Sequence, residues 1–204
     1  MAQKTSLPPP ILFVLAGPNG AGKTTYFDYY LRPRIEPIDF VNPDRLILAE
    51  LGRAALTRAE SERGQMLADS RRDALMLARL SFVTESTFSH PSKLALLRHA
   101  RECGYRIFVY HIGVESADVS VERVSARVAE GGHPVPEDKI RGRFSRNRSY
   151  IREAVLSGDA GVVLDNTSIG QPFRLLFSFT SGQIAHADPN PPQWAAELYG
   201  GPLA

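Results

Sequence analysis

The sequence predicts an α/β fold in which helices cover both faces of a mostly parallel β-sheet. Short runs that are apolar at nearly every position alternate with longer segments of helical periodicity, and such runs are typical of parallel strands buried on both faces. The 204 residues, 43% of them hydrophobic and 23% charged, are enough for one well-buried core. The predicted strands are 11–16, 38–41, 81–84, 106–112 and 161–164.

The segments between these strands carry helix-end signals. Thr57-x-x-Glu60 is a capping-box pattern, which begins a helix. Cys103-Gly104 and Gly131-Gly132 are typical helix ends, and Pro136 is a typical helix start. The predicted helices are 22–31, 57–79, 91–103, 117–130 and 137–156.

The C-terminal part departs from the strand–helix alternation. The stretch FRLLFSFTSGQIAHA predicts two strands that form a C-terminal β-hairpin with a Ser-Gly turn, followed by a short helix near Trp194–Leu198. We expect residues 1–9 to form a flexible N-terminus and residues 10–204 to form a single domain.

Composition argues against several classes of protein. The net charge of +2 is too small to indicate nucleic-acid binding by itself, and a single cysteine excludes an internal disulfide framework. No run approaches 18 apolar residues, and the N-terminal MAQKTSLPPP lacks the apolar region of an export signal. We therefore expect a cytoplasmic protein without nucleic-acid or membrane partners.

Three glycines crowd the segment LAGPNGAGKT, between the first predicted strand and the first predicted helix. Its spacing, G-x-x-x-x-G-K-T, is that of the phosphate-binding loop, or P-loop. Backbone N–H groups around such a turn bind phosphate, Lys23 can reach the β- and γ-phosphates, and the Thr24 hydroxyl can ligate Mg²⁺. We therefore predict a P-loop NTPase fold that binds ATP at Gly17, Pro18, Asn19, Gly20, Ala21, Gly22, Lys23, Thr24 and Thr25.

Ligands of such sheets bind beyond the carboxyl ends of the strands, so the residues after each strand are candidates for chemistry. Asp44 follows the second strand, either as an N-cap or first-turn acid of the next helix, or as a carboxylate that takes a proton from an attacking hydroxyl. Glu85 and Thr87 follow the third strand and are predicted to hold the acceptor substrate, whereas Ser89 is predicted to cap the next helix. After the fifth strand, Asp165 or Asn166 is a candidate for a cap or for a contact with the nucleotide base.

Arginines surround the Gly/Pro-rich loop GGHPVP after the fourth strand. A solvated basic face is the usual interpretation of such a run. The alternative is an arginine-bearing flap that folds over a triphosphate and neutralises charge in the transition state. Arg123 and Arg127 lie four residues apart and therefore share one helix face.

Several stretches together resemble the zeta-toxin family, the P-loop kinases that phosphorylate a UDP-activated amino sugar. They are GPNGAGKTT, FVNPDRL, FVTESTFS, GYRIFVYHIGVESADVSVERVSARVAEGGHPVPEDKIRGRFSRN and VVLDNTS, and together they span about residues 11–168. The stretch RVAEGGHPVPEDKIRGRF resembles the short, chromosomally encoded branch of the family.

The resemblance implies a role for each matching residue. Lys23 and Thr24 would hold ATP and Mg²⁺, Asp44 would be the general base, and Glu85 and Thr87 would hold the sugar nucleotide. Arg127 and Arg143 would contact the transferring phosphates, with Arg123 on the nucleotide. The implied reaction transfers the ATP γ-phosphate to the 3′-hydroxyl of the amino sugar in UDP-N-acetylglucosamine. The implied biological role is that of a toxin, with an antitoxin protein as a partner.

The same residues also fit other acceptors and other functions. The acceptor could be another UDP-sugar, or a different small metabolite or antibiotic bound to the same scaffold. A non-catalytic nucleotide-binding switch would use Asp44 and Glu85 only as helix caps. A nucleic-acid kinase would need aromatic stacking residues near the arginines, where Phe144 and Tyr150 are the candidates.

Overall fold

The computed structural model describes residues 8–54, 57–132 and 134–201, so most of the predicted N-terminal segment 1–9 lies outside the described residues. The strands are β1 (Ile11–Ala16), β2 (Asp39–Val41), β3 (Phe82–Ser86), β4 (Arg106–Gly113), β5 (Ala160–Asp165), β6 (Arg174–Thr180) and β7 (Gln183–Ala187). They form one sheet in the order β2-β3-β1-β4-β5-β6-β7. Neighbours among β1 to β5 pair in parallel, and β6 and β7 add antiparallel pairs. The predicted mostly parallel sheet is confirmed.

Helices connect the parallel strands, as the alternation in the sequence predicts. The connecting helices are α1 (Lys23–Tyr26), α2 (Arg32–Ile35), α3 (Pro43–Leu51), α4 (Arg58–Leu77), α5 (Ser92–Glu102), α6 (Ala117–Ala129) and α7 (Glu137–Ser157), and α8 (Gln193–Tyr199) follows the last strand. The predicted capping box of α4 is present, with Thr57 and Glu60 each accepting a hydrogen bond from the other's backbone N–H. Within the described ranges, no helix is both long enough and apolar enough to cross a membrane.

The central strand β1 supplies both faces of the core. Leu12 and Val14 pack into one apolar layer with residues of α4, α5 and α7. Phe13 and Leu15, which alternate with them, pack into a second layer that includes Phe27. Alternate side chains of a strand point to opposite faces, so a run that is apolar throughout must be covered by helices on both sides.

The first helical segment is longer than predicted. α1 passes through a π-helical stretch, Phe27–Leu31, into α2, so the helical path ends at Ile35 rather than at residue 31. Pro33 lies in the first turn of α2, directly after the π-helical stretch. The predicted end of this helix at residue 31 is therefore four residues too early.

The predicted C-terminal hairpin is confirmed. Thr180 pairs with Gln183, and the two residues between them, Ser181 and Gly182, have φ angles of 48° and 77°. Positive φ at both central positions is typical of the two-residue turns that join antiparallel strands. β7 forms the edge of the sheet and is exposed along its length.

Helix α8 returns from the hairpin to the sheet and buries two aromatic side chains against β4. Trp194 is 4% exposed, and a Cβ at Gly113 would lie only 2.2 Å from its ring. The Tyr199 hydroxyl is hydrogen-bonded to Nδ1 of His111 at 2.8 Å. The sequence predicted this helix but not its packing partners.

His111 is a buried titratable group in this layer. Burial, assisted by the positive charge of Arg148, lowers the pKa of the imidazole to about 3. Between about pH 6.5 and about pH 3, the unfolded chain therefore binds a proton that the folded chain excludes. The contribution of neutral His111 to the free energy of unfolding is therefore fully present above pH 6.5. It is lost progressively as the pH falls from 6.5 towards 3.

We predict that His111 steepens the loss of stability in acid. The free energy of unfolding should fall by up to about 1.4 kcal/mol per pH unit below pH 6.5 from this residue alone. Urea unfolding of the wild type and His111→Gln at several pH values measures the difference in slope. His186→Gln, at an exposed position on β7, is the control and should keep the wild-type slope. Equal slopes for the wild type and His111→Gln would contradict the prediction.

Candidate functional site

A cleft of about 1190 Å³ opens beside the phosphate loop and the ends of β2 and β3. Most predicted site residues line it: Asn19, Gly20, Gly22, Lys23, Thr24, Thr25, Asp44, Glu85, Thr87, Arg123, Arg127 and Arg143. The described lining residues include eight cationic side chains, three carboxylates and no aromatic ring. Such a surface favours a polar, anionic ligand.

The phosphate loop is built from close backbone approaches. Gly22 has φ +87°, and a Cβ there would lie 2.6 Å from Nδ2 of Asn166. A Cβ at Gly17 would lie 2.1 Å from the carbonyl oxygen of Ile112. These two positions therefore require glycine. Gly17, Pro18 and Ala21 are buried beneath the cleft, and Asn166 donates to the Ala21 carbonyl at 2.9 Å.

Lys23 is buried at the floor of the cleft. Its Nζ donates to the Pro18 carbonyl at 2.9 Å and lies 3.8 Å from Oε1 of Glu85. Burial lowers the pKa of this ammonium; the carboxylates of Glu85 and Asp44 oppose the shift, and the guanidinium groups of Arg127 and Arg143 add to it. The charges of four predicted site residues, each on a different strand or helix, thus influence the pKa of one buried ammonium.

Glu85 connects the phosphate loop to the start of α3. Its Oε2 accepts hydrogen bonds from Oγ1 of Thr24 at 2.7 Å and from Nδ2 of Asn42 at 2.9 Å. The pairing of β1 with β3 puts Leu15 beside Glu85, which brings the carboxylate to the phosphate loop. The predicted role of Glu85 at the acceptor stays a prediction; its hydrogen-bond partners in the structure are Thr24 of the phosphate loop and Asn42 at the start of α3.

Asp44 lies in the first turn of α3 and is exposed at the cleft wall. The N-cap is Asn42, whose Oδ1 accepts the backbone N–H of Arg45 at 3.1 Å. Of the sequence alternatives for Asp44, the N-cap is therefore wrong, whereas the first-turn acid and the carboxylate open to a ligand are both compatible with its position.

Thr87 lines the cleft, with its Oγ1 3.3 Å from Oγ of Ser89. The prediction that Ser89 caps the following helix is wrong, because α5 begins at Ser92 with Pro91 at the N-cap and no side-chain cap. Instead, the His90 ring accepts the backbone N–H of Ser92 at 3.2 Å. The Ser89-His90-Pro91 spacing resembled a cap, but the helix starts later.

The segment predicted to form an arginine-bearing flap comprises helices α6 and α7. Arg123, Arg127 and Arg143 all line the cleft. Arg123 lies above Gly20, since a Cβ at that glycine would be 3.1 Å from the Arg123 Cβ. The Arg123 Nη2 donates to the Thr167 carbonyl at 3.0 Å.

Several residues that line the cleft were given no role from the sequence. Lys139 and Arg146 are two of them; they share one face of α7 with the predicted Arg143, and their helical spacing could have indicated this. Arg58 and Lys93 reach the cleft from α4 and α5, which depends on helix placement that local sequence does not encode. Asp165 and Asn166, which the sequence offered as caps or as contacts of the nucleotide base, are not among the described lining residues. Instead, Asn166 is hydrogen-bonded to the Ala21 carbonyl and Asp165 to the Thr167 hydroxyl.

The parallel sheet, the strand–loop–helix unit and the glycine geometry define a P-loop type α/β domain. Residues 12–146, more than half of the chain, match a family described as an AAA domain, and the chain belongs to that family. A curated relative, an uncharacterized protein of Haemophilus influenzae, is 32% identical over 65 residues, which are 32% of this chain and 46% of the relative. The chain thus matches about half the length of that relative.

Solved structures share the fold at low identity. The AvrRxo1-ORF1:-ORF2 complex with ATP matches with a TM-score of 0.65 at 21% identity, over 86% of this chain and 60% of that chain. A putative kinase from Chloroflexus aurantiacus matches with a TM-score of 0.59 at 21% identity, over 80% and 92%. The PezAT chromosomal toxin-antitoxin system of Streptococcus pneumoniae matches with a TM-score of 0.61 at 13% identity, over 99% and 83%. The predicted P-loop fold is confirmed, and the likeness to these three structures is one of fold.

We predict that Asn42 contributes to stability through two interactions. Asn42→Ala removes the cap of α3 and one hydrogen bond to Glu85, and should lower the free energy of unfolding by about 1–3 kcal/mol. Asn42→Ser keeps a capping oxygen but is too short to reach Glu85, and should lose less. Urea unfolding of the three proteins tests this, and an Asn42→Ala protein as stable as the wild type would refute it.

Proposed function

We propose that the chain is a kinase that transfers the γ-phosphate of ATP to a hydroxyl group of a small anionic acceptor. The candidate acceptor is a UDP-sugar such as UDP-N-acetylglucosamine. The observation that carries the proposal is the arrangement around Lys23: a phosphate loop, an open carboxylate at Asp44 and two flap arginines act on the same buried ammonium.

The phosphate loop supplies the ATP side of the proposal. Backbone N–H groups of Gly17 and residues 19–25 would surround the phosphates, and Lys23 would exchange its bond to the Pro18 carbonyl for phosphate oxygens. Arg127 and Arg143 would neutralise charge on the transferring group. The low pKa expected of a buried ammonium would rise again next to phosphate, since opposite charge favours the protonated form.

Mg²⁺ fits the oxygen donors at this end of the cleft. Oγ1 of Thr24 and Oε2 of Glu85 lie 2.7 Å apart, and Mg²⁺ in such sites takes one or two protein oxygens together with phosphates and water. Thr24 and Glu85 would hold the ion, which would supply charge neutralisation at the phosphates. Glu85 would then border both the metal and the acceptor, in keeping with its predicted role at the acceptor together with Thr87.

Asp44 is the proposed general base. Its carboxylate would accept the proton of the acceptor hydroxyl as the bond from that oxygen to the γ-phosphorus forms. The bond between the γ-phosphorus and the β–γ bridging oxygen breaks, and ADP leaves. No covalent enzyme intermediate is required, because positioning and charge stabilisation carry the reaction.

The part of the cleft wall that Lys93 forms would favour an acceptor with negative charge. Partial burial lowers the pKa of Lys93, and the neighbouring Arg72 guanidinium adds to the effect more than Asp69 opposes it. Asp69 itself is hydrogen-bonded to Arg72. An anionic group such as a diphosphate would stabilise the Lys93 ammonium, whereas a cationic antibiotic would be repelled.

Phosphate transfer should depend on Asp44, at the proposed acceptor hydroxyl, and on Lys23, at the phosphates of ATP. Purified protein is incubated with MgATP and a panel of UDP-sugars, and acceptor mass is followed by mass spectrometry. We expect one added phosphate on a UDP-amino sugar, a rate at least about 100-fold lower for Asp44→Asn, and loss of transfer together with weaker ATP binding for Lys23→Ala. Near-wild-type transfer by Asp44→Asn would show that the assigned base is wrong. ATP binding without a product on any UDP-sugar would exclude this acceptor class, and phosphorylation of another metabolite would support the alternative kinase.

Lys93→Met should raise the KM for the acceptor by about tenfold or more, because it removes a charge-assisted contact. The KM for ATP should not change. Arg98→Met, at an exposed position on the same helix outside the described cleft lining, is the matched control. Unchanged acceptor KM in steady-state assays of Lys93→Met would rule out this subsite.

A kinase that consumes a UDP-amino sugar would deplete a cell-wall precursor. On this proposal, bacteria that produce the wild-type chain should stop growing, while those that produce Asp44→Asn should not. An antitoxin would be a protein that covers the cleft and restores growth. Normal growth with active enzyme would exclude the toxin role while leaving the kinase proposal standing.

A further inference from the structure

Arg123 is a cleft arginine that is hydrogen-bonded to a part of the chain beyond the family match. It belongs to α6 and lies above the phosphate loop at Gly20. Its Nη2 donates to the carbonyl oxygen of Thr167, in the loop that follows β5, at 3.0 Å. A guanidinium has five N–H donors, so the others stay available for an anion while this bond fixes its direction.

Thr167 is itself held from two sides. Its Oγ1 accepts the backbone N–H of Glu115, just before α6, at 2.9 Å. The same hydroxyl donates to Oδ1 of Asp165 at 2.7 Å. A hydroxyl that donates once and accepts once has a fixed orientation, so the Thr167 carbonyl is fixed relative to both β5 and α6.

Asp165 connects this loop to the C-terminal helix. Its Oδ1 also accepts Nε1–H of Trp194 at 3.0 Å. The indole is almost fully buried and packs directly on Gly113, where no Cβ would fit. Because the ring cannot shift towards β4, its N–H marks a fixed point for the Asp165 carboxylate.

We infer that Trp194, Asp165 and Thr167 form a hydrogen-bonded relay through which the C-terminal segment positions Arg123 for binding the polyphosphate of a nucleotide. The three are positioning residues, since they act on the ligand through Arg123. All three lie outside residues 12–146, the part that matches the family. The inference rests on the proposed function only in naming ATP as the polyphosphate.

The relay requires particular functional groups at residues 167 and 194. The Thr167 side chain must offer a hydroxyl, whereas its methyl group is dispensable, so serine should replace it and valine should not. Trp194 must offer an N–H as well as a ring, so phenylalanine should fill much of the space but leave Asp165 without one donor. Each change should affect phosphate affinity only while Arg123 is present.

The test is a double-mutant cycle on ligand binding. Equilibrium dissociation constants for MgATP and for inorganic tripolyphosphate are measured with the wild type, Thr167→Val, Thr167→Ser, Trp194→Phe and Arg123→Ala, and with Thr167→Val and Trp194→Phe each in the Arg123→Ala background. Thr167→Val and Trp194→Phe should weaken binding by about three- to tenfold, the effect of one hydrogen bond. Thr167→Ser should bind like the wild type, and both effects should disappear without Arg123. Thermal unfolding establishes that each variant is folded.

Each outcome separates the relay from the proposed function. Losses of equal size with and without Arg123 would mean that Thr167 and Trp194 act on general stability, which overturns the relay. The same holds if Thr167→Ser fails to rescue binding. Coupling seen with tripolyphosphate by a protein that does not bind ATP would support the relay and overturn the nucleotide assignment. Binding of neither ligand by the folded wild type would overturn both.

Discussion

The site is organised around one buried charge, the ammonium of Lys23. Burial disfavours a lone ammonium, and the structure compensates with the Pro18 carbonyl and the carboxylates of Glu85 and Asp44. Those groups come from the phosphate loop, the end of β3 and the first turn of α3. Their convergence requires that parallel strands end together at one edge of the sheet. The surroundings of the Lys23 ammonium therefore depend on the strand order, on the register of β1 with β3 and on the position of α3.

Much of this arrangement could be predicted from sequence because it is encoded locally. The strand–loop–helix pattern around Gly22 and Lys23 indicated the phosphate loop, and the apolar runs indicated buried parallel strands. The Ser-Gly turn predicted the hairpin. These features depend on periodicity and backbone preference over a few residues, which sequence patterns report directly.

The rest could not be predicted because it depends on distant contacts. Whether Glu85 faces an acceptor or the phosphate loop depends on the pairing of β3 with β1, not on the TESTFS stretch. Asn42 was overlooked as a cap because Asp44, two positions later, is an equally good candidate by residue type. Lys93 reaches the cleft only because α5 packs where it does. In each case the sequence shows which functional group the side chain carries, but not which distant residues or ligand that group contacts.

The contact between Gly113 and Trp194 has a consequence for how the chain can evolve. The ring of Trp194 occupies the space that any side chain at residue 113 would need. A change from glycine at 113 is tolerable only if the tryptophan is first replaced by something smaller. Conversely, a smaller residue at 194 leaves a void over β4 that a larger residue at 113 could fill. The two positions are far apart in the chain, yet their residue types should covary. Residue 113 lies in the part that matches the family and residue 194 in the C-terminal helix, so substitutions in one part would constrain those in the other.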